Sequence, residues 1–140
     1  MKVVFGIILI VLFVLLSLLH FYWFLGGKKG LDKALPTDNN GKRVLHPGKI
    51  ETSIVAIGLL LFASYYILKI GAFEIGYPSL IFDFGGWIIS AVFILRAIGE
   101  FKYVGYFKRI KNTAFGQLDT KYYSSLSLAI GILGIFVELI

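Results

Sequence analysis

His20, Arg96, Glu100 and Asp119 stand out in this chain because each lies near the edge of a long apolar run, where an ionisable group needs a partner. His20 and Trp23 are three residues apart and share one helix face. An imidazole there is either a packing histidine with satisfied nitrogens or a general acid and base. Trp23 belongs to the run Phe21-Tyr22-Trp23-Phe24, which has the composition of an interfacial aromatic belt, so membrane anchoring competes with a role in a site. Arg96 and Glu100 are four apart and can meet as a salt bridge on one helix face. If these residues converge with Asp119, they form either an anion or headgroup site or an electrostatic staple that fixes the helices and their threading. In the first case Arg96 holds an anionic headgroup and His20 exchanges a proton, oriented by Glu100 or Asp119. Asp83 and Trp87 are a second pair, also four apart. Trp87 lies about 12 Å along a helix from Ser79. That depth predicts a place in the core or in a pocket wall, with Asp83 an awkwardly placed acceptor for the indole N–H.

Other chemistry is excluded by what is missing. There is no cysteine, which removes disulfides, thiolate catalysis and cysteine metal sites. The two histidines, His20 and His46, form neither HxxxH nor HExxH. No phosphate-binding glycine loop, nucleotide fingerprint or GxSxG elbow occurs. The expectation is no metal and no cofactor, and an enzyme is less expected than a non-enzyme.

The elements that position these residues are four apolar runs, at about 3–25, 52–70, 79–99 and 123–140. A hydrocarbon core about 30 Å thick needs about 20 helical residues rising 1.5 Å each. The 140 residues are 58% hydrophobic, with mean hydropathy +0.85, well above the apolar share of a soluble domain. The first run resembles a signal peptide but is longer than an h-region, and no small-x-small cleavage site follows it, so it reads as a retained helix. One domain is expected over 1–140: an all-α integral membrane protein, a four-transmembrane-helix bundle.

The 14 lysines and arginines are placed unevenly. All but Lys2 and Lys69 fall in or beside the segments 26–51 and 100–122. The positive-inside rule therefore predicts a multi-pass plasma-membrane protein with both basic segments cytosolic and both termini outside. The net charge of +6 then reads as topology and contact with anionic lipid headgroups, not as nucleic-acid binding. Small four-span drug/proton antiporters are disfavoured by the steep charge bias and by the outer positions of Asp83 and Glu138.

The first cytosolic segment is broken by Gly26-Gly27, Gly30, Pro36, Asp38-Asn39-Asn40-Gly41 and Pro47-Gly48. Gly71, Gly76 and Pro78 predict a tight outer turn. In the second segment Tyr103, Phe107, Ile110, Ala114 and Leu118 recur at helical spacing. Lys102 and Arg109 fall opposite them, and Lys108 and Lys111 on the flanks. This is either a short amphipathic helix in the headgroup layer with its lysines snorkelling outward, or a plain basic connector with aromatic anchors. Small residues four apart predict close packing of spans three and four: Gly86 with Ser90, Ser125 with Ala129, Ser127 with Gly131.

Several of these residues together resemble a family of small bacterial four-span membrane proteins, catalogued as domain of unknown function 3995. The likeness is carried by His20-Phe21-Tyr22-Trp23, Gly26-Gly27, Pro36, Trp87 and the stretch Arg96-Ala97-Ile98-Gly99-Glu100-Phe101-Lys102-Tyr103-Val104-Gly105-Tyr106-Phe107-Lys108. Thr113-Ala114-Phe115, Asp119 and Tyr123-Ser124 continue it over almost the whole chain. Ser125 stands where the resemblance would place a proline, which predicts a looser start to span four. The resemblance implies a four-helix membrane protein and no activity.

Two functions from different classes fit. The first is an accessory or interaction role, with a protein partner or a homo-oligomer, favoured by small size and absent catalytic motifs. The second is a lipid- or isoprenoid-binding protein or enzyme with a polar site at the cytosolic interface, formed from His20, Trp23, Trp87, Arg96, Glu100 and Asp119. A channel ranks third, because no charge lies at the expected midplane.

Overall fold

A computed structural model describes residues 1–71 and 79–140. The described residues are all-helical apart from loops and a single β-bridge between Thr37 and Arg43. The helices are α1 (Lys2–Phe24), α2 (Leu31–Ala34), α3 (Lys49–Lys69), α4 (Ser79–Ile98), α5 (Ala114–Leu118) and α6 (Ser124–Leu139). A π-helical turn, Asp119–Tyr123, joins α5 to α6. Gly76 and Pro78, two residues of the expected outer turn, lie outside the described residues.

Four helices are long and apolar enough to cross a membrane, the last running continuously over Ala114–Leu139. The chain is a multi-pass membrane protein. A helix satisfies its own backbone, which a bilayer core demands because it offers no water to the N–H and C=O groups. Only 22% to 33% of each span's most apolar window is buried within the protein, so most apolar side chains face outward. Val3, Leu15, Leu61, Leu80 and Ile88 are among them. In water this would be an exposed hydrophobic surface; in a bilayer it is the lipid contact.

α1 packs along α3, α4 packs along α6, and α1 against α6 joins the two pairs. Phe13 is the centre of the core, fully buried, with its ring 5.7 Å from Phe62, 5.9 Å from Tyr66 and 5.3 Å from Phe93. Leu9, Leu59, Ala63, Tyr65, Ile89, Ile130 and Val137 are buried around it with Tyr66. Buried Ser17 donates to the Ala56 carbonyl at 2.7 Å, a polar contact between α1 and α3 of the kind that holds helices together where burial gives no drive.

The α4–α6 contact uses Gly86, Ser90 and Gly131 of the expected small residues. A Cβ on Gly131 would lie 2.6 Å from Ile94 Cγ1 and 3.1 Å from the Ser90 carbonyl oxygen, so even alanine would force its neighbours to shift. Gly134, which the four-residue spacing missed, sits against the Ser90 and Tyr66 hydroxyls. Ala129 is exposed and takes no part. Ser125 faces elsewhere, bonded to the Thr120 carbonyl at 3.0 Å and the Tyr106 hydroxyl at 2.7 Å. The start of the last span is therefore tied down at Ser125, not loosened.

The two basic segments meet at one end, where the Tyr123 hydroxyl donates to the Lys33 carbonyl at 3.2 Å and α2 packs on α5. At the opposite end Lys69 pairs with Glu138 at 2.8 Å and donates to the Phe82 carbonyl at 2.7 Å. Of the two readings of the second basic segment, the amphipathic helix does not form: the chain makes a compact turn over 99–113, and helix resumes only at α5. Tyr103, Phe107 and Ile110 therefore share no helix face. Lys108, read from periodicity as an outward-reaching flank residue, is 1% exposed.

Candidate functional site

Asp119 is fully buried at the basic end. Its position is set from both sides. The Thr113 side chain caps α5 by accepting from Gly116 N–H at 3.0 Å, and the π turn begins at Asp119 itself. Such a turn adds a residue to the helix and re-aims the span beyond it. The turn over 99–113 is folded so that Gly99 (φ 87°) and Gly105 (φ 90°) cross backbone to backbone. A Cβ on either would overlap the other arm of the turn, and both backbones are left-handed, so glycine is required at each.

That crossing delivers donors to the carboxylate. Oδ2 of Asp119 accepts from Gly105 N–H at 2.8 Å, Lys108 Nζ at 3.0 Å and Ser124 Oγ at 3.1 Å. Oδ1 accepts from Arg96 Nη2 at 2.9 Å. Lys108 Nζ is itself saturated, donating also to the Gly105 carbonyl at 2.9 Å and Thr120 Oγ1 at 2.5 Å. Arg96 is not: its Nη1 is buried and has no hydrogen-bond partner among the described residues, while 35% of the side chain stays accessible. Two cations on one carboxylate leave this knot with a surplus positive charge, and the unmet donor belongs to Arg96.

Arg96 lines a cleft of about 480 Å³ that opens between the helices. Its polar end holds Arg96, His20, Trp23 and Tyr123, and its depth holds Leu59, Phe62, Phe93 and Ile130. A second cavity of about 400 Å³ shares His20, Trp23, Val55 and Arg96 and runs beneath the first loop, against Leu35, Pro36 and Pro47. A third, of about 200 Å³, shares Trp23, Leu35 and Pro47 with the second and reaches Arg43, His46 and Lys49 at the rim. Through these shared residues the three lie in series between Arg43, His46 and Lys49 at one end and the apolar Leu59, Phe62, Phe93 and Ile130 at the other. His20 donates from Nδ1 to the Leu16 carbonyl at 2.7 Å, since a carbonyl can only accept, and its ring stands edge-on to Trp23 at 5.0 Å. The Trp23 indole donates to the Lys29 carbonyl at 3.1 Å, tying the loop to α1.

Of the residues singled out in the sequence, the structure brings His20, Trp23 and Arg96 to one cleft and puts Asp119 directly behind Arg96. Glu100 does not pair with Arg96. Its exposed carboxylate accepts from the backbone N–H groups of Tyr103 and Val104 and shapes the turn. Trp87 is 42% exposed on the outside of α4 and lines none of these cavities, so the expected core or pocket position is corrected to a lipid-facing one. The same outward face of α4 leaves Asp83 exposed. Sequence reasoning missed Lys108, Gly105 and Ser124 as partners of Asp119. It also missed Glu51, which lines the second cavity. Lys108 carried a signal, since it closes the most specific stretch of the resemblance. Among the described residues no group of three or more His, Asp or Glu is placed to hold a metal ion.

A family profile described as protein of unknown function (DUF3995) matches residues 13–134. The chain belongs to that family. No curated protein and no solved structure matches it.

Proposed function

We propose that this member of the family binds an anionic lipid, with the head against Arg96 and the tail among Leu59, Phe62, Phe93 and Ile130, and that it sits in the plasma membrane with its basic end in the cytosol. The carrying observation is the position of Arg96. Among the described residues it is the only lysine or arginine that lines the main cleft, it has an unpartnered donor, and it belongs to a knot with surplus positive charge. A buried donor without an acceptor costs about 1–3 kcal/mol, more for a charged group, and an anionic headgroup would supply the missing acceptor. Below Arg96 the cleft is apolar, which suits a chain and not a free polar ligand.

The accessory or interaction role favoured by the sequence stands on small size and absent motifs. The cleft gives a specific reason to prefer lipid binding. Orientation agrees with the ligand: the cytosolic leaflet carries the anionic lipids, and the rim of the path, with Arg43, His46 and Lys49, would face it.

The test uses Trp23, which lines all three cavities. Trp87→Phe leaves Trp23 as the only tryptophan. In mild detergent, phosphatidylglycerol with brominated acyl chains should quench Trp23 fluorescence saturably, and brominated phosphatidylcholine should not. Arg96→Gln should weaken the anionic lipid by about tenfold, the worth of one charged hydrogen bond. Equal, unsaturable quenching by both lipids would reject the reading.

A further inference from the structure

The polar end of the cleft is lined by two residues with different unsatisfied groups. Arg96 contributes a guanidinium with one unpaired nitrogen and a side chain that stays 35% accessible. His20 offers the opposite. Because Nδ1 is committed as a donor to the Leu16 carbonyl, the neutral ring presents Nε2 as a lone-pair acceptor. No group among the described residues bonds Nε2, and His20 lines both larger cavities together with Arg96. The edge-on contact with Trp23 holds the ring in that orientation.

Building on the lipid-binding reading, we infer that the cleft selects a lipid phosphomonoester over lipids whose phosphate is a diester. The chemistry is a match of protons. A phosphomonoester carries about −1.5 to −2 charges near neutrality, because its second proton leaves near pH 6. That proton can lie on either side of a contact with an imidazole nitrogen, which can donate or accept. If the phosphate keeps it, P–OH donates to Nε2 of neutral His20. If His20 takes it, Nε2–H donates to a phosphate oxygen. In both cases another phosphate oxygen faces Arg96. A diester has no P–OH proton to share near neutrality and carries a single charge, so it satisfies Arg96 and gives the Nε2 lone pair of a neutral ring no donor on the phosphate. A carboxylate has the same shortfall. The surplus positive charge of the Arg96–Asp119–Lys108 knot also favours the more highly charged head.

The experiment is native mass spectrometry of the full chain released from mild detergent. The detergent holds equal amounts of phosphatidate, phosphatidylglycerol and phosphatidylcholine with the same acyl chains. Phosphatidate should be retained about tenfold over phosphatidylglycerol, the worth of one hydrogen bond to a charged group. His20→Leu should remove that preference while still retaining both anionic lipids over phosphatidylcholine. Equal, Arg96-dependent retention of phosphatidate and phosphatidylglycerol in the unaltered chain would overturn the phosphomonoester assignment and leave anionic-lipid binding standing. A preference for phosphatidate that survives in His20→Leu would overturn the role of His20 and with it the assignment. Retention of all three lipids alike, unchanged in Arg96→Gln, would overturn both.

Discussion

Asp119 is the residue on which the basic end of the molecule depends. Its carboxylate gathers four donors from α4, the turn over 99–113 and the first turn of α6, segments that are distant in sequence. Burying one charge with its partners is close to break-even, but removing one partner leaves the others buried and uncompensated, at about 3–5 kcal/mol. Asp119→Asn leaves Arg96 and Lys108 facing each other without an anion, and should cost about that much. Lys108→Met still leaves Asp119 paired with Arg96, Gly105 N–H and Ser124, and removes the surplus charge. It should cost clearly less. Unfolding in detergent followed by helix content checks the order, and equal losses would show that the charge balance is not what holds the turn. Part of this knot was legible in the sequence. Arg96 lies at the end of the third span and Asp119 just before the fourth, on the same side, so threading allowed them to converge, and the structure shows that they do. Lys108 was not legible, because helical periodicity placed it on an outward flank, and only the non-helical path of the turn carries it inward.

The elements divide in the same way. The spans were readable because a bilayer accepts little but helix over an apolar run, and the charges at the run ends mark where each stops. The turn between α4 and α5 was not, because its shape comes from backbone crossing at Gly99 and Gly105 and from a side chain that lies 14 residues beyond Gly105. Within the spans, glycine has two distinct uses, and each predicts a different response to substitution. Gly131 is a packing glycine. The carbonyl oxygen of Ser90 in its path belongs to a helix backbone and cannot swing aside, so Gly131→Ala should overpack the α4–α6 contact and cost about 1–3 kcal/mol. Gly58 lines the cleft, and a Cβ there meets nothing within 4 Å. Gly58→Ala should hold or raise stability, by up to about 1 kcal/mol from helix propensity. Gly58→Leu should leave melting in detergent unchanged yet cut lipid quenching of Trp23 by filling the cleft. Loss of fold in Gly58→Leu would mean that the cleft is packed space, not a ligand path.

At the scale of the whole molecule, charge asymmetry and cleft position make one prediction together. Both basic segments sit at one end, with the path to the cleft opening among them at Arg43, His46 and Lys49. At the other end Lys69 is neutralised by Glu138, so the exposed positive charge is more one-sided than the sequence count suggests. If insertion obeys that asymmetry, the path opens toward the leaflet that holds anionic lipid. The chain has no cysteine, so single cysteines can be introduced without background. On intact cells a membrane-impermeant maleimide should label Ile140→Cys, and should label Asn39→Cys and Asn112→Cys only after the membrane is opened. All three positions are exposed on the protein, and labelling of each in detergent is the control that makes a failure on cells report the barrier. The opposite pattern would turn the cleft toward the leaflet poor in anionic lipid. Arg96 would then face few ligands of the matching charge, and the lipid-binding reading would lose its supply of ligand even if binding in detergent succeeded. The labelling pattern thus tests threading directly and the function through it, because Arg43, Lys49 and Arg96, among the cations that set the first, also line the way to the second.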